Sequence, residues 1–68
     1  MSGLRVYERM ESVKRLIELR ATGSPKQLAD KFSVSERTIY RIINDLKHVT
    51  GRDIEYSYLH QSYVFKES

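Results

Sequence analysis

Apolar positions along the chain follow a helical period for its first two thirds and then switch to alternation. Val6, Met10, Val13, Leu16, Ile17 and Ala21 recur at helical spacing, with Glu8, Arg9, Glu11, Lys14, Arg15, Glu18 and Arg20 on the other side. This predicts a first helix over about 6–21, stopped by Thr22-Gly23. Leu19 falls off the stripe and is expected against a later strand or another subunit. A second set, Leu28, Ala29, Phe32, Val34, Ile39, Ile42, Ile43 and Leu46, fits two short helices over about 25–32 and 36–48. Placed on two helices joined by a tight turn at Ser33-Val34-Ser35, these residues form one continuous stripe, closed at the bend by Val34.

The helix boundaries carry their own signals. Ser24 and Gln27 have the spacing of a capping box, and Pro25 suits the first helical position, where its missing amide hydrogen costs nothing. Ser35 is the natural N-cap of the third helix, Glu36 suits the positive end of its dipole, and Gly51 marks its end. From Ile54 the period becomes two: Ile54-Glu55-Tyr56-Ser57-Tyr58 and Ser62-Tyr63-Val64-Phe65 are rich in aromatic and β-branched residues. They predict a hairpin over about 54–65, turning at Leu59-His60-Gln61, with Ile54, Tyr56, Tyr63 and Phe65 facing inward. An isolated hairpin is unstable in water, so it must pack on the helices.

Composition narrows the reading. At 68 residues the chain is expected to form a single domain over 1–68. A domain of this size buries only ~60% of its unfolded surface, so each core residue matters. With no cysteine and two histidines, neither a disulfide scaffold nor a thiolate zinc site is expected, and no metal or other cofactor is implied. The apolar runs are too short for a membrane span or a signal peptide, and Gly3 does not fit the myristoylation pattern, which makes the cytoplasm the expected location. Net charge is +3, a mild lean whose placement says more. Lys26, Lys31, Arg37, Arg41 and Lys47 gather around the second and third helices, opposed only by Asp30, Glu36 and Asp45.

Opposite its apolar stripe, the third helix displays Arg37, Tyr40, Arg41 and Asn44. These residue types suit phosphates and base edges in a DNA groove. Arg37 and Arg41 lie four apart on one face, and either can fork onto guanine O6 and N7. Asn44 suits an adenine edge or a phosphate, and Tyr40 a phosphate or a thymine methyl. Lys26, Ser35, Thr38 and Lys47 are placed for phosphate oxygens, Lys47 chiefly through the general field to which Lys31 also adds. The plainer readings are a solvated face with Arg37 and Arg41 paired to Glu36 and Asp45, a tyrosine packed at a helix edge, and an asparagine bonded locally. His48 and His60 read as surface residues.

Three helices followed by a hairpin give a mainly α fold with a small β-hairpin, the order of a three-helix winged helix-turn-helix. The run LADKFSVSERTIYRIINDLK resembles the DNA-binding segment of the DeoR-type and biotin-repressor-type bacterial transcriptional regulators. The resemblance rests on Leu28-Ala29, on Val34-Ser35 at the turn, and on Thr38-Ile39-Tyr40-Arg41 in the recognition helix. IEYSYLHQSYVF is similar to the wing of those families, and the likeness covers Met10 to Phe65. Ser33 stands where the helix-turn-helix pattern prefers glycine, Ser62 replaces the wing glycine, and the wing tip carries neither Arg nor Lys. The larger families add an effector or catalytic domain after the wing, and nothing here implies a small-molecule ligand.

The expected function is sequence-specific binding of double-stranded DNA by a small bacterial or phage regulator, associated with the nucleoid. Two copies, as a homodimer, are expected on a repeated or palindromic site, because one small module buries only ~600–1,000 Å² on DNA. Candidate pairing surfaces are Leu4-Arg5-Val6-Tyr7 and the hairpin edge with Tyr58 and Val64. The alternatives are an excisionase-like, DNA-bending factor of a mobile element and a winged-helix docking module for other proteins. An enzyme is not expected: no acid–base pair or nucleophile has a pocket to work in, and Ser57, His60 and Asp53 have no reason to converge.

Overall fold

The computed structural model describes residues 2–66, with side chains from 7 to 66. Helix α1 spans Ser2–Glu18, α2 Pro25–Phe32 and α3 Glu36–Thr50; strands β1 (Ile54–Ser57) and β2 (Ser62–Phe65) form a two-stranded antiparallel hairpin. This is the predicted winged helix-turn-helix order. The core is the predicted stripe: Val13 and Ile17 from α1, Leu28 and Ala29 from α2, Ile39, Ile42, Ile43 and Leu46 from α3, and Ile54 and Tyr63 from the hairpin. Met10, Leu16, Phe32, Val34, Tyr56 and Phe65 pack around it, partly buried. Val6, expected on the stripe, lies outside the residues whose side chains are described.

The first helix differs from expectation at both ends. It begins at Ser2, ahead of the periodic residues, where Leu4 and Arg5 are good helix formers. It ends three residues early, at Glu18, and the stop is not Thr22-Gly23. Arg20 adopts the left-handed conformation (φ 55°), the Ala21 amide donates to the Leu16 carbonyl at 2.9 Å, and the Arg20 amide to Ile17 at 3.0 Å. That pair of bonds is the Schellman closure. Ala21 therefore lies beyond the helix and is exposed. Leu19 is also exposed, beside Leu16, Lys31 and Phe32 rather than against the hairpin.

The capping box on α2 is formed: the Gln27 amide donates to Ser24 Oγ at 3.1 Å and the Ser24 amide to Gln27 Oε1 at 2.8 Å. Gly23 (φ 72°) is required beside it, since a Cβ there would sit 2.6 Å from Gln27 Oε1. The bend between α2 and α3 repeats the closure seen after α1. Ser33 is left-handed (φ 55°), its amide bonds to Asp30, and the Val34 amide bonds to Ala29 at 3.0 Å. Ser35 Oγ then accepts from the Thr38 amide at 3.2 Å and caps α3. Helix α3 runs two residues past the predicted His48, because Thr50 still bonds through its hydroxyl to the Leu46 carbonyl at 2.7 Å. Gly51 closes it as expected.

Register in the hairpin pairs Ile54 with Phe65, Tyr56 with Tyr63 and Ser57 with Ser62. The four residues expected to face inward thus share one face. Strand β1 is one residue shorter than predicted: Tyr58 belongs to the turn, because Ser57 Oγ accepts the His60 amide at 3.3 Å and Gln61 turns left-handed (φ 50°). Strand β2 also carries a feature that alternation alone does not announce. Ser62 is fully buried, on the strand's other side, against the buried Thr22 of the α1–α2 link. The Thr22 amide donates to Ser62 Oγ at 3.0 Å, the Tyr63 amide donates to Thr22 Oγ1 at 2.8 Å, and the two hydroxyls lie 3.0 Å apart.

Two stability outcomes follow from these geometries. Thr22→Val leaves the Tyr63 amide without its acceptor, and the unfolding free energy from urea titration should fall by about 1–3 kcal/mol. Ser33→Gly relieves left-handed strain of about 1–2 kcal/mol at a backbone-entropy cost of about 0.5–1 kcal/mol. The melting temperature should therefore rise by several degrees.

Candidate nucleic-acid interface

Helix α3 turns Ile39, Ile42, Ile43 and Leu46 inward, and the helical period then leaves Arg37, Tyr40, Arg41 and Asn44 outside; all four are exposed. Arg37, Arg41 and Asn44 run along the middle of the outward face. His48 continues the same line one turn later, its Nδ1 2.9 Å from the Asn44 carbonyl oxygen. Tyr40, 53% exposed, stands on the edge of that face nearer Glu36 and Lys47. The pairing of Arg37 with Glu36 or of Arg41 with Asp45 is not formed. Among the described residues the one ion pair joins Lys47 Nζ to Asp53 at 3.7 Å. Both arginines are exposed and carry no ion pair.

The residues expected at phosphates are spread more widely. Lys26 is exposed on the first turn of α2. Ser35 and Thr38 lie at the N-terminus of α3, their hydroxyls 3.1 Å apart, with Ser35 already committed to the cap. Lys47 sits at the far end of α3 and is partly engaged by Asp53, so it stands apart from the N-terminal group. Packing adds a cation that the local sequence does not suggest. Arg9 of α1 lines a groove of about 230 Å³ with Met10, Thr38, Arg41, Ile42 and Asp45. It was expected on the solvent side of the first helix, and nothing in its own neighbourhood couples it to α3; only the α1–α3 packing does.

The hairpin packs on α1 through β2 and adds Ile54 and Tyr63 to the core. Burial raises the Tyr63 phenol from 10.0 to about 12, with further upward contributions from Tyr40, Tyr56 and Glu36. Tyr56 meets Tyr63 edge-on at 5.2 Å, and Arg52 stacks over Phe65 at 4.2 Å, tying the α3–β1 link to β2. Among the described residues no cluster of three or more His, Asp or Glu forms a metal site, and no helix is long and apolar enough to cross a membrane.

A trihelical core whose second and third helices meet at a tight turn, with a hairpin packed alongside, defines a winged helix-turn-helix, a DNA-binding class. The chain belongs to the helix-turn-helix (HTH) domain family, whose pattern matches residues 9–56, from within α1 to β1. No curated protein and no solved structure matches it.

The raised Tyr63 pKa has a consequence for stability at high pH. Folding favours the neutral phenol, so the stabilisation it gives is complete below pH 10 and is lost as pH rises towards 12. Unfolding monitored by circular dichroism across this range should show a decline in stability that is shallower in Tyr63→Phe.

Proposed function

We propose that this chain, acting as one domain, binds double-stranded DNA sequence-specifically as a small bacterial or phage transcriptional regulator. Helix α3 lies in the major groove, which accepts one helix and displays a distinct hydrogen-bonding pattern for each base pair. The observation that carries this reading is the exposed line Arg37–Arg41–Asn44, with no carboxylate paired to either arginine. Each arginine offers a bidentate fork to guanine, a contact that typically discriminates by ~1–3 kcal/mol. Asn44 addresses an adenine edge, and Tyr40 a phosphate or a thymine methyl. Lys26, Ser35, Thr38 and Lys47 hold phosphate oxygens and fix the register, joined by Arg9 beside Thr38 and by His48 at the far end.

The kinship with DeoR-type and biotin-repressor-type regulators is supported by Leu28-Ala29, Val34-Ser35 and Thr38-Ile39-Tyr40-Arg41. Two copies bind a palindromic or repeated site, because a module this small gains too little area alone for tight, selective binding. The protein acts in the cytoplasm, on the nucleoid.

A labelled mixed-sequence duplex titrated by fluorescence anisotropy tests the reading. Binding should weaken with salt, log K falling by ~0.9 for each phosphate neutralised. Arg37→Ala/Arg41→Ala should lose binding at an unchanged melting temperature, since both side chains are exposed. A folded wild-type protein that binds no duplex even at low salt would turn the reading towards a protein-docking module.

A further inference from the structure

Leu19, 65% exposed, follows directly on α1 and stands where two shallow grooves meet. One, of about 340 Å³, runs between α1 and the end of α2 and is lined by Ser12, Arg15, Leu16, Leu19, Lys31 and Phe32. The other, on the surface of α1, adds Glu11 and Glu18 to Ser12, Arg15 and Leu19. Leu16 and Phe32 are only partly buried, so the first groove keeps an apolar floor beside the core. The residues lining both grooves all belong to α1, α2 or the position just after α1, and none to α3 or the hairpin.

Charge identifies what fits there. Glu11, Arg15 and Glu18 alternate in sign along one exposed strip of α1, four and three residues apart, and Lys31 stands across the groove. Among the described residues the one ion pair lies elsewhere, between Lys47 and Asp53, so no neighbour neutralises these four. A phosphate backbone would meet Glu11 and Glu18, and any partner of a single sign would be repelled by half of the strip. A second copy matches it, because a two-fold axis sets each residue of the strip against a different residue of the same strip. With the two α1 helices antiparallel and the axis between Arg15 and Glu18, each Arg15 meets the other copy's Glu18. The same axis passes between Leu16 and Leu19, so each Leu19 enters the other copy's groove over Leu16 and Phe32.

We propose that this α1–α2 surface is a homodimer interface, closed by reciprocal Arg15–Glu18 pairs around a centre of Leu16, Leu19 and Phe32. It rests on the reading that two copies act together on DNA, and it gives that pair a surface other than the two expected from the sequence. Because α3 takes no part in it, both copies keep the Arg37–Arg41–Asn44 line uncovered.

Sedimentation velocity of the full chain tests the interface, with anisotropy on the mixed-sequence duplex at low salt in parallel. Wild-type protein should pass from monomer to dimer over a concentration series. Arg15→Glu and Glu18→Arg should each weaken the dimer by about tenfold or more, since each sets two like-charge pairs across the axis. Mixed in equal amounts, the two variants should dimerise again, as should Arg15→Glu/Glu18→Arg, because opposite charges then meet. Leu19→Asp should be monomeric. All three positions are exposed, so the helical circular dichroism should not change. A wild type that stays monomeric, free and on duplex, overturns the interface and leaves the groove to a different protein. A dimer that withstands the single reversals overturns it too, as do single variants whose mixture fails to recover. In each of these cases low-salt binding to the duplex leaves the reading of α3 standing. A wild-type dimer that obeys the charge swaps yet binds no duplex overturns α3 instead and leaves the interface in place.

Discussion

The side-chain hydroxyls of Thr22 and Ser62 hold the molecule in one arrangement. They lie 3.0 Å apart and between them accept the amides of Thr22 and Tyr63, so each satisfies a backbone donor of the opposing segment. A two-stranded hairpin has too little core of its own to be stable in water. Ile54 and Tyr63 supply apolar burial, but burial is non-directional and would tolerate sliding. The hydroxyl pair has directional geometry, and a register slip would strand two buried donors. The edge-on contact of Tyr56 with Tyr63 and the position of the turn both follow from β2 being held at this point.

The same economy operates at the helix ends. Arg20 and Ser33 both adopt left-handed conformations that carry strain for a residue with a Cβ, and both are held there by a closing pair of amide bonds. The first closure directs Thr22 inward to meet Ser62. The second sets the angle between α2 and α3, and Val34, drawn back onto the core, seals the bend. Once α2 and α3 share one core, the outward face of α3 is whatever remains, and there the chain places arginine, asparagine and tyrosine. The exposed polar face and the core packing are therefore two sides of a single helical period.

Most of the architecture was legible in the residues. The capping box at Ser24 and Gln27, the Ser35 cap, the Gly51 stop and the alternating hairpin residues all stand where expected, because each is a local signal acting over a few bonds. The errors also have local causes. Periodicity could not anticipate a closure built on Arg20, a residue with no intrinsic preference for it. Of the candidate interface, the α3 face was legible because exposure follows directly from the positions of the buried isoleucines. Arg9 was not, since its approach to Thr38 and Arg41 depends on how α1 crosses α3.

By itself, then, the sequence determined the helices, the turn between α2 and α3, the composition of the core and the residues offered on the face of α3. Those properties depend on period and on short-range hydrogen bonding. Only the tertiary structure decided that Ser62 is a buried latch, that Arg37 and Arg41 carry no acidic partner, and that Tyr58 and Leu59 are left exposed. Each of these depends on atoms far apart in the chain being brought within a few ångströms or kept apart, and no local pattern encodes that distance.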